Sequence, residues 1–109
     1  MTEPRQLSFS NSDPVSHDPG VTDRELDVDG TRWALVEYSP GSGREEWCDV
    51  PHSGYVLSGA ITYSFEDGRE PLSLSAGEAF ALPPAPPHRG RNDGGEPVRL
   101  FLIDALPGA

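Results

Sequence analysis

The chain of 109 residues contains no lysine: its eight basic residues are all arginine, set against eighteen acidic ones, for a formal net charge of −10. Nucleic-acid binding rests on Lys and Arg neutralising phosphates, so nucleic acid is not an expected partner. An anionic membrane surface is disfavoured on the same ground. One cysteine is present, which excludes an intrachain disulfide. No apolar run approaches the roughly 18 residues that a membrane-spanning helix requires. Met1-Thr2-Glu3-Pro4-Arg5 has neither the charged start nor the apolar segment of a secretory signal, so a cytoplasmic location is expected. A Gly-rich phosphate loop, a Gly-x-Ser-x-Gly nucleophile turn and a Cys-x-x-Cys pair are also missing. Their absence removes P-loop nucleotide hydrolysis and α/β-hydrolase chemistry. No segment longer than a turn repeats apolar residues at helical spacing.

A chain this short has one core and therefore one domain. Apolar residues are 35% of the total and cluster between Trp33 and Ile103. Residues 1–28 are rich in Ser, Asp and Pro without a period of 2 or 3.6 and read as a flexible N-terminal arm, in which Leu7-Ser8-Phe9 could pair with a neighbour's edge. His17 reads there as a solvated side chain.

Beyond the arm, strands and turns alternate. Thr31 to Tyr38 is β-branched and aromatic after an Asp29-Gly30 turn. Residues 39–43 hold Pro40, Gly41 and Gly43 and end that strand. Ile61, Tyr63 and Phe65 alternate with small polar residues, and Leu72 and Leu74 alternate with serines after an Asp67-Gly68 turn, which predicts a hairpin. Four prolines between 83 and 87 predict an extended, polyproline-like lead-in to His88. Val98 to Ile103 is the most apolar run and reads as a central strand buried on both faces. Short strands at this spacing predict an all-β sandwich or barrel.

Two stretches carry chemistry. In the first, Glu46, Cys48, His52 and Val56 share parity, so an extended chain would place Glu46, Cys48 and His52 on one surface. In the second, Gly77, Pro83, His88 and Asn92 are spaced as Gly, five residues, Pro, four residues, His, three residues, Asn. This second stretch resembles the second sequence motif of the cupin family, with Ala85 where the family has glycine. Tyr55-Val56-Leu57-Ser58-Gly59 resembles the end of the family's first motif. The metal-binding half of that motif is altered: His52 takes the glutamate position, and the two histidine positions fall on Glu46 and Cys48 or, with one more intervening residue, on Glu45 and Trp47.

The resemblance spans residues 31 to 104 and implies a small double-stranded β-helix, a jelly-roll-like barrel, with a cupin domain over residues 29–106. It further implies a divalent transition metal held by His52, His88, Cys48 and Glu46 at the barrel mouth. Those donors suit zinc, iron, nickel, manganese or copper better than magnesium or calcium. Without Cys48, the set would have the two imidazoles and one carboxylate of non-haem iron oxygenases. The expected partner is a small organic ligand, with oxygenase, isomerase or cyclase activity, and a homodimer is expected from the family's habit of exchanging edge strands. Two alternatives stay open. One is a non-catalytic sensor or binding protein. The other is a metal-free, sugar-epimerase-like enzyme in which His88 and Tyr63 would be the acid and base. Arg89, Arg91 and Trp47 could also reach the cavity, the arginines offering forked donors to a carboxylate. Asn92 reads as a turn former.

Overall fold

The computed structural model of the chain describes residues 3–106; Met1-Thr2 and the trailing Pro107-Gly108-Ala109 lie outside the described residues. After a single 3-10 turn, Phe9–Asn11, nine strands follow: β1 Val15–Asp18, β2 Val21–Val28, β3 Thr31–Tyr38, β4 His52–Ser58, β5 Ala60–Phe65, β6 Leu72–Ser75, β7 Ala79–Leu82, β8 His88–Arg91 and β9 Val98–Ala105. They form two antiparallel sheets, one in the order β1-β2-β3-β9-β4-β7 and one in the order β6-β5-β8. This is the expected all-β, jelly-roll-like barrel. No helix of the described residues is long and apolar enough to cross a membrane.

Residues 15–28 correct the reading of an arm up to position 28. Here β1 and β2 pair as a hairpin, and β2 continues the large sheet through a full-length register with β3, from Val21 opposite Tyr38 to Val28 opposite Thr31. An apolar alternation is absent because the inward face of β2 carries Val21, Asp23 and Glu25 and looks into a polar cavity. Leu7-Ser8-Phe9 forms no strand; Phe9 packs edge-on against Phe101 of its own chain, ring centroids 6.4 Å apart.

The core is filled by inward residues of both sheets, among them Val21, Val56, Ile61, Val98 and Leu100, each 1% exposed or less. Burying such side chains is the main stabilising term of a small barrel. The predicted hairpin is present, with Ile61 opposite Leu74 and Tyr63 opposite Leu72. β9 is central, between β3 and β4, but is not buried on both faces: Arg99 is exposed and Ile103 is 40% exposed. Among the described residues no third layer covers that side, where Trp33 and Phe9 pack against Phe101.

The proline segment bends at residues 84–86 instead of running straight as polyproline, and it delivers β8 to the small sheet beside β5. Asn92 then locks the following turn. Fully buried, it donates through Nδ2 to the carbonyls of Tyr38 (3.1 Å) and Glu96 (2.7 Å) and accepts at Oδ1 from the Gly94 N–H. Gly54, inward on β4, must be glycine for packing reasons: a Cβ there would lie 2.6 Å from Leu102 Cδ2 and closer still to the Phe80 ring.

Candidate functional site

The sheets enclose a cavity of about 760 Å³. Its apolar wall comes from β3 and β9 through Ala34, Val36, Leu100 and Leu102, and Tyr63 and His88 face it from the small sheet. Three elements bring donors to one corner: residues 39–51 supply Cys48, the first residue of β4 is His52, and the first residue of β8 is His88. One ligand atom from each of Cys48, His52 and His88 lies within 4.8 Å of the others. Cys48 Sγ is 3.9 Å from His52 Nε2, and the two imidazole rings stand 5.2 Å apart at 70°.

Backbone pairing fixes this corner. The Cys48 N–H donates to the His88 carbonyl at 2.8 Å and the His88 N–H returns the bond to the Cys48 carbonyl at 2.9 Å. Residues 39–51 thereby run alongside the free edge of β8, with a second bridge between Gly43 and Arg91. A thiol and an imidazole 40 positions apart in sequence are held in register by main-chain geometry, which does not depend on either side chain.

The two histidines differ in their surroundings. His52 Nδ1 lies 2.7 Å from Asp104 Oδ2, and the other oxygen of Asp104 accepts from the Ser53 N–H at 3.2 Å. A carboxylate accepting at Nδ1 places the ring proton there and turns the Nε2 lone pair toward Cys48. His88 is 3% exposed, and its Nδ1 is the one buried side-chain nitrogen or oxygen among the described residues with no hydrogen-bond partner. Burial, and then the neighbouring His52, push its pKa down to about 4. At neutral pH it is therefore an uncharged imidazole, the form that ligates metal.

Glu46 does not join the group. The chain bends at Glu45 and Glu46, breaking the extended parity on which its convergence with Cys48 and His52 depended. The side chain is exposed at the cavity rim. The Arg89 guanidinium helps hold this loop, lying 4.1 Å over the Trp47 ring and donating to the Glu45 carbonyl at 3.1 Å. Arg91 pairs with Asp93 instead. Tyr63 is 4% exposed and meets His88 edge-on at 5.7 Å; burial raises its phenol well above the ordinary tyrosine range, so it keeps its proton.

Asp104 was missed by sequence reading. It follows the apolar run of β9, and only the pairing of Ser53 with Ile103 brings it beside His52. A charged residue closing the most apolar strand was the one available signal, since a carboxylate at such a position needs a partner.

A cupin-domain family model matches residues 34–104. No protein of curated function matches the chain by sequence. Similar solved structures include the polyketide cyclase RemF from Streptomyces resistomycificus, with TM-score 0.78 and 18% identity over 94% of this chain and 80% of that one. KdgF from Halomonas sp. gives TM-score 0.73 and 18% identity over 97% of each chain. An oxalate decarboxylase from Bacillus subtilis gives TM-score 0.78 and 19% identity over 94% of this chain and 29% of that longer one. At these identities the likeness is one of fold.

Proposed function

The chain belongs to the cupin family, and from that premise we propose that it holds one divalent transition metal on Cys48, His52 and His88 and acts on a small organic molecule in the adjoining cavity. The observation that carries this reading is the convergence of one thiol and two imidazoles, each offering a ligand atom within 4.8 Å of the others, with the buried His88 Nδ1 left without a hydrogen-bond partner. An orphaned polar atom in a protein interior costs about 1–3 kcal/mol unless something binds to it. One thiolate and two imidazoles fit zinc, copper, iron or nickel and are a poor set for magnesium or calcium. The iron-oxygenase count of two histidines and a carboxylate lacks its carboxylate, because Glu46 is at the rim and Asp104 is engaged by His52. When bound, such a metal supplies Lewis-acid polarisation of a substrate oxygen.

The chain's own residues would do the rest. Asp104 holds the proton of His52 at Nδ1 and sets the ring's orientation. Tyr63, kept protonated beside His88, offers an O–H donor to a bound oxygen. The wall of Ala34, Val36, Leu100 and Leu102 excludes water from the ligand's body. The fold is shared with a polyketide cyclase and an oxalate decarboxylase, so an enzymatic role is the first reading. A non-catalytic binder built on the same site is the second, and turnover in a screen of small phenols, keto acids and sugars separates the two. A metal-free His88–Tyr63 acid–base pair is disfavoured, because both pKa values move away from neutrality.

The test is metal analysis of the purified protein beside a variant carrying His52→Ala and His88→Ala. About one ion per chain is expected in the wild type and none in the variant. Equal metal in both would defeat the assignment.

A further inference from the structure

We infer that the cavity takes an uncharged organic molecule and turns away carboxylates, because its lining carries seven carboxylates against three guanidiniums, two of which are already paired with carboxylates. This deepens the reading above and rests on the cavity being the ligand site. Arg44 donates through Nη2 to both oxygens of Asp23, at 2.9 and 3.0 Å, and its Nη1 lies 3.5 Å from Asp18. Arg32 forks onto Asp27 at 2.8 and 3.0 Å. Arg89, the third, makes no ion pair among the described residues; it stacks on Trp47 at 4.1 Å and gives one N–H to a carbonyl, beside the exposed Glu45 and Glu46. Carboxylate substrates are ordinarily held by the bidentate fork of a free arginine. Here a substrate anion would have to displace a resident carboxylate from Arg44, and Asp23 is only 7% exposed, so stripping its partner leaves an uncompensated charge in the interior.

The charge around the cavity points the same way. Seven carboxylates line it against three guanidiniums. At the rim Glu45, Glu46 and Asp49 are exposed and make no ion pair among the described residues. A bound divalent ion, offset by the Cys48 thiolate, leaves the lining net negative. A mouth of one sign lowers the local concentration of ions of that sign. The apolar wall and the Tyr63 phenol suit a molecule with a hydrocarbon body and a hydroxyl or carbonyl group.

Benzyl alcohol and benzoate are a matched pair for the test, titrated calorimetrically into the protein as purified at low salt, with metal content measured on the same sample. The wild type should bind benzyl alcohol at least tenfold more tightly than benzoate. Asp23→Asn, which removes the charge that Arg44 Nη2 answers, should tighten benzoate about tenfold and leave benzyl alcohol unchanged. Asp18→Asn, at a more exposed carboxylate farther from the guanidinium, should tighten benzoate by a smaller factor in the same direction. Absence of a preference in the wild type, or no gain of benzoate in either variant, overturns the inference. The metal reading stands or falls separately: a metal-free sample that still prefers the alcohol sinks the metal assignment alone, and a metal-bearing sample that prefers benzoate sinks this inference alone.

Discussion

Two polar clusters face the same cavity from different walls, and their hydrogen bonding differs. At the corner of β2 and the segment 39–51, Arg44 is gripped by Asp23 and Asp18 and lies over the Tyr38 ring at 5.7 Å. At the other corner, Cys48, His52 and His88 converge with His52 oriented by Asp104, yet His88 Nδ1 has no partner. Both clusters remove polar groups from water, but the first pairs its buried carboxylate with a guanidinium, while the second leaves a buried nitrogen without a partner. The first is a fixture that sets charge and shape; the second leaves a buried nitrogen unpartnered, which is why function is read from it.

The comparison breaks most visibly at Arg44. Arg44→Met should destabilise the protein by about 3–5 kcal/mol, because it leaves two carboxylates facing each other without a cation. Adding Asp23→Asn to that variant should recover part of the loss. Urea midpoints measure both, and a loss below about 1 kcal/mol would mean that the pair is screened like a surface one.

Acid should expose the difference next. His88 has its folded pKa near 4 against an ordinary 6.5. As pH falls below 6.5 the unfolded chain takes up the proton first, so stability present above that value is lost progressively down to about pH 4. The size of the loss is about 3 kcal/mol for the metal-free protein. Urea titrations across this range should show the slope in the wild type and a flattened one in His88→Gln. An equal slope in both would assign the loss to other groups.

Asp104 offers a finer cut. Asp104→Asn keeps the shape of the side chain and removes its charge, and metal affinity measured by chelator competition should weaken about 10–100-fold. Unchanged affinity would make the His52–Asp104 contact purely structural. The smallest effect has the opposite sign to the first. In the presence of chelator, His88→Leu should stabilise the protein by about 1 kcal/mol, since it deletes a buried nitrogen that nothing satisfies. A loss of stability would show that His88 is already complete in the metal-free chain.

Legibility from sequence followed how local each signal was. The Asp67-Gly68 turn between alternating runs identified the β5–β6 hairpin, because a two-residue turn chemistry and a period of two are both readable in one short window. Gly77, Pro83, His88 and Asn92 fell in register for the same reason. β2 was hidden: its inward positions carry Asp23 and Glu25, and a strand facing a polar cavity has no apolar alternation to find. Glu46 was placed with Cys48 by assuming continuous extension, and a bend at positions 45 and 46 removed it. Asp104 lies 52 positions from His52 and was invisible to any local pattern.

The sequence alone determined an all-β chain, its principal turns, and the donor types present at positions 48, 52 and 88, since these follow from residue identity and short-range periodicity. Only the tertiary structure decided which donors meet, that Asp104 orients one of them, and that two of the arginines lining the cavity are paired with carboxylates. Those outcomes depend on strand register and on main-chain pairing between distant segments, which no single stretch of the chain specifies.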